Sequence, residues 1–258
     1  MQLRSFNTPV ADPGLAAALL ALGFPLTAPP ELSESHSLDS RPKGTRAPSQ
    51  VWYFGAHSLE NSLTREQFFT AWGTAPPNEA AEHPVQRCRR CLRNLRVLQT
   101  FVHKNGQLYS VRRPWGVMLT SWPEHGASPI EEGSEIPPGT PMTSSTSLAA
   151  AAVTLGLPCL GFRWDGGLAR FYFGAASDSN LSLGELEARK ADLPYLRKTV
   201  SPMSQVLALL FNRKQLKLQT REKTLKKNLI LQKGDRYAVL SSAADEQLRE
   251  RAFRHLCL

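Results

Sequence analysis

At 258 residues, 41% of them hydrophobic, the chain has room for two domains with ordinary cores, and no run approaches the ~18–20 apolar residues of a membrane span. Met1 to Asn7 lacks the apolar stretch of a secretory signal, and four cysteines without a repeating pattern argue against a disulfide framework. The expected location is a reducing cytoplasm, and the net charge of +9 favours an anionic partner, DNA or RNA foremost.

In chain order, the first predicted element is a helix over Leu15-Ala16-Ala17-Ala18-Leu19-Leu20-Ala21-Leu22, with Asp12-Pro13 as its cap and Gly23 and Pro25 as its stop signals. The same pattern returns at Leu148-Ala149-Ala150-Ala151-Ala152-Val153-Thr154-Leu155-Gly156-Leu157-Pro158, with Thr146-Ser147 as the cap. Trp52-Tyr53-Phe54-Gly55-Ala56 returns as Phe171-Tyr172-Phe173-Gly174-Ala175, and Val97-Leu98 pairs more faintly with Val206-Leu207. Low complexity could supply the alanines but not the spaced Leu, Gly and Pro. The chain therefore reads as one unit duplicated and fused, with repeat 1 over 1–125, a linker over 126–143 and repeat 2 over 144–258. The linker carries three Glu and no base; repeat 1 has 13 Lys/Arg against 9 Asp/Glu, and repeat 2 has 18 against 10.

The aromatic run at 52–54 is too short and β-prone for a helix and is expected to be a buried strand. Residues 28–50, rich in Pro and Ser, read as a polar loop inserted at a hairpin tip; repeat 2 has a tight Asp165-Gly166 turn there. Thr64-Arg65-Glu66-Gln67 forms a capping box for a helix with Phe68, Phe69 and Trp72 on its apolar face, matched by Ser182-Leu183-Gly184-Glu185.

The stretch Pro84–Lys104 carries most of the functional argument. Val85, Cys88, Leu92, Leu95, Leu98 and Val102 keep to one helical stripe, while Arg87, Arg89, Arg90, Arg93 and Arg96 project elsewhere with no acid among them. Solvated faces normally mix signs, and Arg suits bidentate phosphate contacts. In repeat 2 this helix reads as a broken version from Ser201-Pro202 with Met203, Val206, Leu207, Leu210 and Phe211 on its core face. A basic insertion follows at 215–227, open between strand and helix; from Arg213 to Lys227 there are seven bases and one acid.

Each repeat is expected to end in two short strands around a turn, Leu108–Leu119 in the first and Leu229–Leu240 in the second, and a closing helix runs from Ala244 to His255. The expected fold is thus α+β and pseudo-two-fold, each half a helix, a β-hairpin, further helices and a terminal strand pair.

Catalytic patterns are not apparent. Cys88-x-x-Cys91, flanked by His83 and His103, has half the spacing of a zinc site, but both cysteines help fill the helix stripe and are expected to be buried small hydrophobes. His57-Ser58 has Ala176 at the corresponding place in repeat 2, and no Gly-rich phosphate loop or Gly-x-Ser-x-Gly elbow occurs. Glu185, Glu187 and Lys190 suggest a metal-dependent nuclease only faintly, since they fall on an expected helix without a strand-borne Asp. No cofactor, metal or catalytic residue is assigned, and the protein is read as non-enzymatic.

Phe6-x-Thr8, Leu15-Ala16-Ala17-Ala18-Leu19-x-x-Leu22-Gly23 and the Tyr53-Phe54 strand resemble a family of small uncharacterised bacterial domains. Those domains open with the same motif and continue into a β-hairpin. The resemblance implies a helix–hairpin–helix fold, here in tandem, and implies no activity.

The leading expectation is nucleic-acid binding through Arg87, Arg89, Arg90, Arg93, Arg96 and Lys104 in repeat 1 and Arg213, Lys214, Lys217, Lys226 and Lys227 in repeat 2. The alternative is a protein-assembly component, a monomer acting as a pseudo-dimeric adaptor, with Trp115 and Tyr237 as interface aromatics.

Overall fold

A computed structural model describes residues 9–32, 50–74, 82–103, 110–113, 116–119, 130, 135–165, 167–174, 181–192 and 201–233. They form an α+β protein with six helices and eight strands among the described residues. The chain divides into two compact units, one made of Met1–Ala75 with Phe211–Leu258, the other of Pro76–Leu210.

In the first unit, β1 (Pro9–Val10), β2 (Leu26–Leu32) and β3 (Gln50–Phe54) make an antiparallel sheet in the order β1-β3-β2. The polar stretch expected as a loop from residue 28 therefore starts as strand; residues 33–49 lie outside the described residues. Pro29 and Pro30 are tolerated because β2 is an edge strand, and its register with β3 shifts between Ala28 and Glu31.

Helix α1 (Pro13–Ala21) begins where Asp12 Oδ1 accepts from the amides of Gly14 (2.6 Å) and Leu15 (3.1 Å). It ends in a Schellman motif: Phe24 N donates to Leu19 O, Gly23 N donates to Leu20 O, and Gly23 holds φ 79°. Ala16, Ala17, Ala18 and Leu19 are fully buried, which small side chains permit on every side of a helix. Helix α2 (Arg65–Gly73) carries the expected capping box at Thr64 and Gln67. Its Phe68 meets Phe24 edge-on and stacks on Trp72, with ring centroids 5.7 Å apart in each pair.

The second unit holds α3 (Pro84–His103), the hairpin β4 (Ser110–Arg113) and β5 (Gly116–Leu119), then β6 (Met142–Thr143), α4 (Thr146–Thr154), β7 (Cys159–Asp165), β8 (Leu168–Phe173) and α5 (Leu183–Ala191). The expected linker thus ends in strand at β6. The sheet order is β6-β8-β7, antiparallel, and β7 and β8 form the hairpin expected from Asp165-Gly166. The cap of α4 is Ser145, not Thr146 or Ser147: its Oγ accepts from Leu148 N, three residues on. Gly156 closes α4 as Gly23 closes α1, at φ 90° with Leu157 N donating to Ala152 O. Helix α5 has a capping box at Ser182 and Glu185. Helix α3 packs along α4, where Asn94 Nδ2 donates to the buried Thr154 hydroxyl at 2.9 Å.

The expected break and strand pair at the end of repeat 2 are corrected by α6 (Pro202–Lys233), one continuous helix of 32 residues. Gln215, Leu216, Lys217, Leu218, Arg221, Glu222, Lys223, Leu225, Lys226 and Lys227 are all strong helix formers, and no Gly or Pro interrupts them before Gly234. That summed propensity outweighs the short Leu216/Leu218 alternation. Leu229–Gln232, expected as strand, is helical; residues 234–258, including the expected second strand, Tyr237 and the closing helix, lie outside the described residues. Pro202–Leu210 belong to the second unit and the helix from Phe211 to the first.

Candidate nucleic-acid interface

Helix α3 is fixed at its start by a reciprocal pair of side-chain bonds. His83 Nδ1 accepts from Val85 N (3.2 Å), and Gln86 Oε1 accepts from His83 N (2.9 Å). Pro84 occupies the first helical position, where its missing N–H costs no hydrogen bond. Val85, Cys88, Cys91, Leu92, Leu95 and Leu98 form the buried stripe. That burial fixes where the five arginines go.

They do not share one environment. Arg90 makes a bidentate pair with Glu82, Nε to Oε1 at 2.8 Å and Nη2 to Oε2 at 2.7 Å, and Arg87 Nε reaches Oε2 at 3.4 Å. The Glu82 side chain is only 3% exposed, so two half-buried guanidiniums satisfy a carboxylate that the fold removes from water. This corrects the expectation that Arg87 and Arg90 face solvent and act through free charge. Arg89, Arg93 and Arg96 are the exposed members. At positions i, i+4 and i+7 they share one face along about 10 Å of helix.

On α6, Lys214 and Lys217 are exposed, whereas Arg213 is only 9% exposed and does not belong to an open surface. Lys226 and Lys227 fall on the same helix, beyond the residues whose side chains are described; Lys104 and Trp115 lie outside the described residues.

Ser58, Glu185 and Lys190 have structural partners. Ser58 Oγ donates to Leu22 O at 2.6 Å and accepts from the amides of Glu60 and Asn61, which ties the end of α1 to the following turn. Glu185 accepts from Ser182 N and Oγ, and these bonds hold its carboxyl below the usual value. Lys190 Nζ donates to Ser145 Oγ at 2.8 Å, joining α5 to the start of α4. Burial drives the Cys88 thiol far up, beyond the range where a thiolate forms in water, and Cys91 lies buried beside it. Among the described residues no three His, Cys, Asp or Glu side chains converge as metal ligands.

The sequence reading missed a second cationic cluster, on the β6-β8-β7 sheet. Arg163 and Arg170 stand directly opposite each other on β7 and β8, and Arg170 Nη2 also meets Asp165 Oδ2 at 2.6 Å. Hairpin register brings them together; counting back from the Asp165-Gly166 turn would have paired them. Around them Met142, Leu160 and Leu168 are 46–61% exposed.

No family model, curated protein or solved structure matches the chain.

Proposed function

We propose that the chain is a non-enzymatic nucleic-acid-binding protein, acting in the cytoplasm as a monomer, whose contact surface is built on α3. The observation that carries this reading is the exposed row Arg89, Arg93 and Arg96 on one face of α3. Three guanidiniums on one rigid helical face suit successive phosphates of a backbone, and such contacts give affinity that falls with salt and depends little on sequence. Fluorescence anisotropy with labelled single- and double-stranded oligonucleotides at two salt concentrations tests it. Absence of binding to either in low salt overturns it.

The proposal includes an internal duplication of a domain resembling the uncharacterised bacterial family. Support comes from the shared strand order, with the middle strand last in sequence in each sheet, from Schellman ends at Gly23 and Gly156, and from capping boxes at Thr64 and Ser182. Counted from Pro84 and Pro202, Asn94 corresponds to Asn212 and Leu98 to Leu216, all four buried. This register replaces the fainter match of Val97-Leu98 with Val206-Leu207.

A second reading, a protein-assembly component, draws on an asymmetry. Where the second sheet exposes Met142 and Leu160, the corresponding places in the first carry the exposed Pro9 and Thr27. An apolar patch on one half alone is what a pseudo-dimeric adaptor would present. Loss of capture of a purified partner by a Leu160→Ser variant would support it.

A further inference from the structure

We propose that the outer edge of β7 is a pairing strand for a second copy of this chain and that Ile130 guards it; this is independent of the nucleic-acid reading above. β7 lies last in the sheet order β6-β8-β7, so one side of its backbone faces away from β8. Ile130 N donates to Phe162 O at 2.8 Å, which identifies that side. Backbone groups alternate along an antiparallel strand. Gly161, Arg163 and Asp165 therefore bond to β8, opposite Tyr172, Arg170 and Leu168, while Phe162 and Trp164 direct their backbone groups outward.

An open edge of this kind pairs with other chains, and folded proteins blunt it with proline, charge or a covering segment. The two sheets meet this hazard differently. β2 holds the same place in the order β1-β3-β2, and Pro29 and Pro30 lie within it. β7 runs for seven residues without a proline and exposes Leu160 and Trp164. Here the half-buried Ile130 supplies the cover.

A second copy of β7 offers the same kind of bond over a longer stretch. Two β7 strands related by a two-fold axis at Phe162 overlap along all seven residues and exchange backbone bonds at the axis. Leu160 and Trp164 flank Phe162 at equal spacing, so this register sets Leu160 of each copy beside Trp164 of the other and covers apolar surface that the single chain exposes. Arg163 then faces Gly161 of the other copy, whereas an axis at Arg163 would oppose two like charges. The edge is thus self-complementary, and its partner is the same chain in a closed dimer.

Light scattering coupled to size exclusion tests this on the full chain, over a series from micromolar to millimolar concentration. Ile130→Pro removes the donor and is expected to double the apparent mass as concentration rises, with the parent staying at one copy. Adding Leu160→Lys should return that variant to one copy, because Leu160 is exposed in the single chain and a charge there opposes the pairing. If Ile130→Pro does not fold, Ile130→Gly, which removes the half-buried side chain, is read in the same way. One copy for every variant across the series overturns the proposal. So does a dimer that Leu160→Lys leaves intact, or a mass that grows past two copies, which marks open-ended association in place of a two-fold pair. A parent that dimerises as readily as Ile130→Pro overturns the role of Ile130 as guard.

Discussion

Glu82 and Arg90 are eight residues apart and joined by two parallel hydrogen bonds of 2.8 and 2.7 Å, on a carboxylate almost wholly removed from water. This pair divides the arginines of α3 into a structural set and an exposed set. Glu82→Gln should destabilise the fold by about 1–2 kcal/mol, less than a fully buried pair would cost because both arginines retain some solvent. Urea denaturation of the variant measures it, and an unchanged midpoint would show that Glu82 does not anchor the helix.

The contact between α3 and α4 gives a second prediction. Thr154 Oγ1 donates to Ala150 O at 2.7 Å and accepts from Asn94 Nδ2 at 2.9 Å, all within buried surroundings. Thr154→Val strands the Asn94 amide without that acceptor and should cost about 1–3 kcal/mol. Asn94→Leu with Thr154→Val should cost less than the two single changes summed. A double-mutant cycle with no coupling would contradict the contact.

Gly23 and Gly156 end equivalent turns but differ in their surroundings. A Cβ on Gly23 would stand 2.8 Å from Glu60 Cβ and 2.9 Å from Ser58 Oγ; on Gly156 it would meet nothing within 4 Å. Both substitutions to Ala carry the strain of positive φ, about 1–2 kcal/mol. Gly23→Ala should cost about 1 kcal/mol beyond that, because the Ser58 bond to Leu22 must also shift. Equal thermal midpoints for the two variants would contradict this.

Burial pushes the Cys159 thiol up to about 11, against a smaller opposing pull from a backbone hydrogen bond of Gly161. The folded value lies above the unfolded one, so the thiol's contribution is complete below pH ~9 and is lost as pH rises toward 11, by roughly 2–3 kcal/mol in all. Cys159→Ala should lose less stability than the parent between pH 8.5 and 11. Parallel slopes for the two proteins in denaturation across that range would refute the assignment.

Much of the fold was legible in local signals, because each depends on residues a few positions apart. Asp12, Thr64 and Gly23 act where the sequence places them, and β7 and β8 pair as the expected hairpin. Three features were not read from the sequence, each for a physical reason. The continuity of α6 rests on propensity summed over 32 residues, against which two alternating leucines looked like strand. The sorting of the α3 arginines rests on where the chain before Pro84 carries Glu82, a matter of tertiary geometry that a helical wheel leaves out. Arg163 and Arg170 lie seven residues apart and meet only through the β7–β8 register.

The most direct test of the central claim is the salt dependence of nucleic-acid binding by Arg89→Gln/Arg93→Gln/Arg96→Gln against the parent chain. The thermal midpoint should stay nearly unchanged, because exposed substitutions usually cost within ~0.5 kcal/mol each. The plot of log affinity against log salt should flatten by up to about three units, roughly one for each lost phosphate contact. An unchanged slope, with the triple variant binding as tightly as the parent at low salt, would contradict α3 as the contact surface.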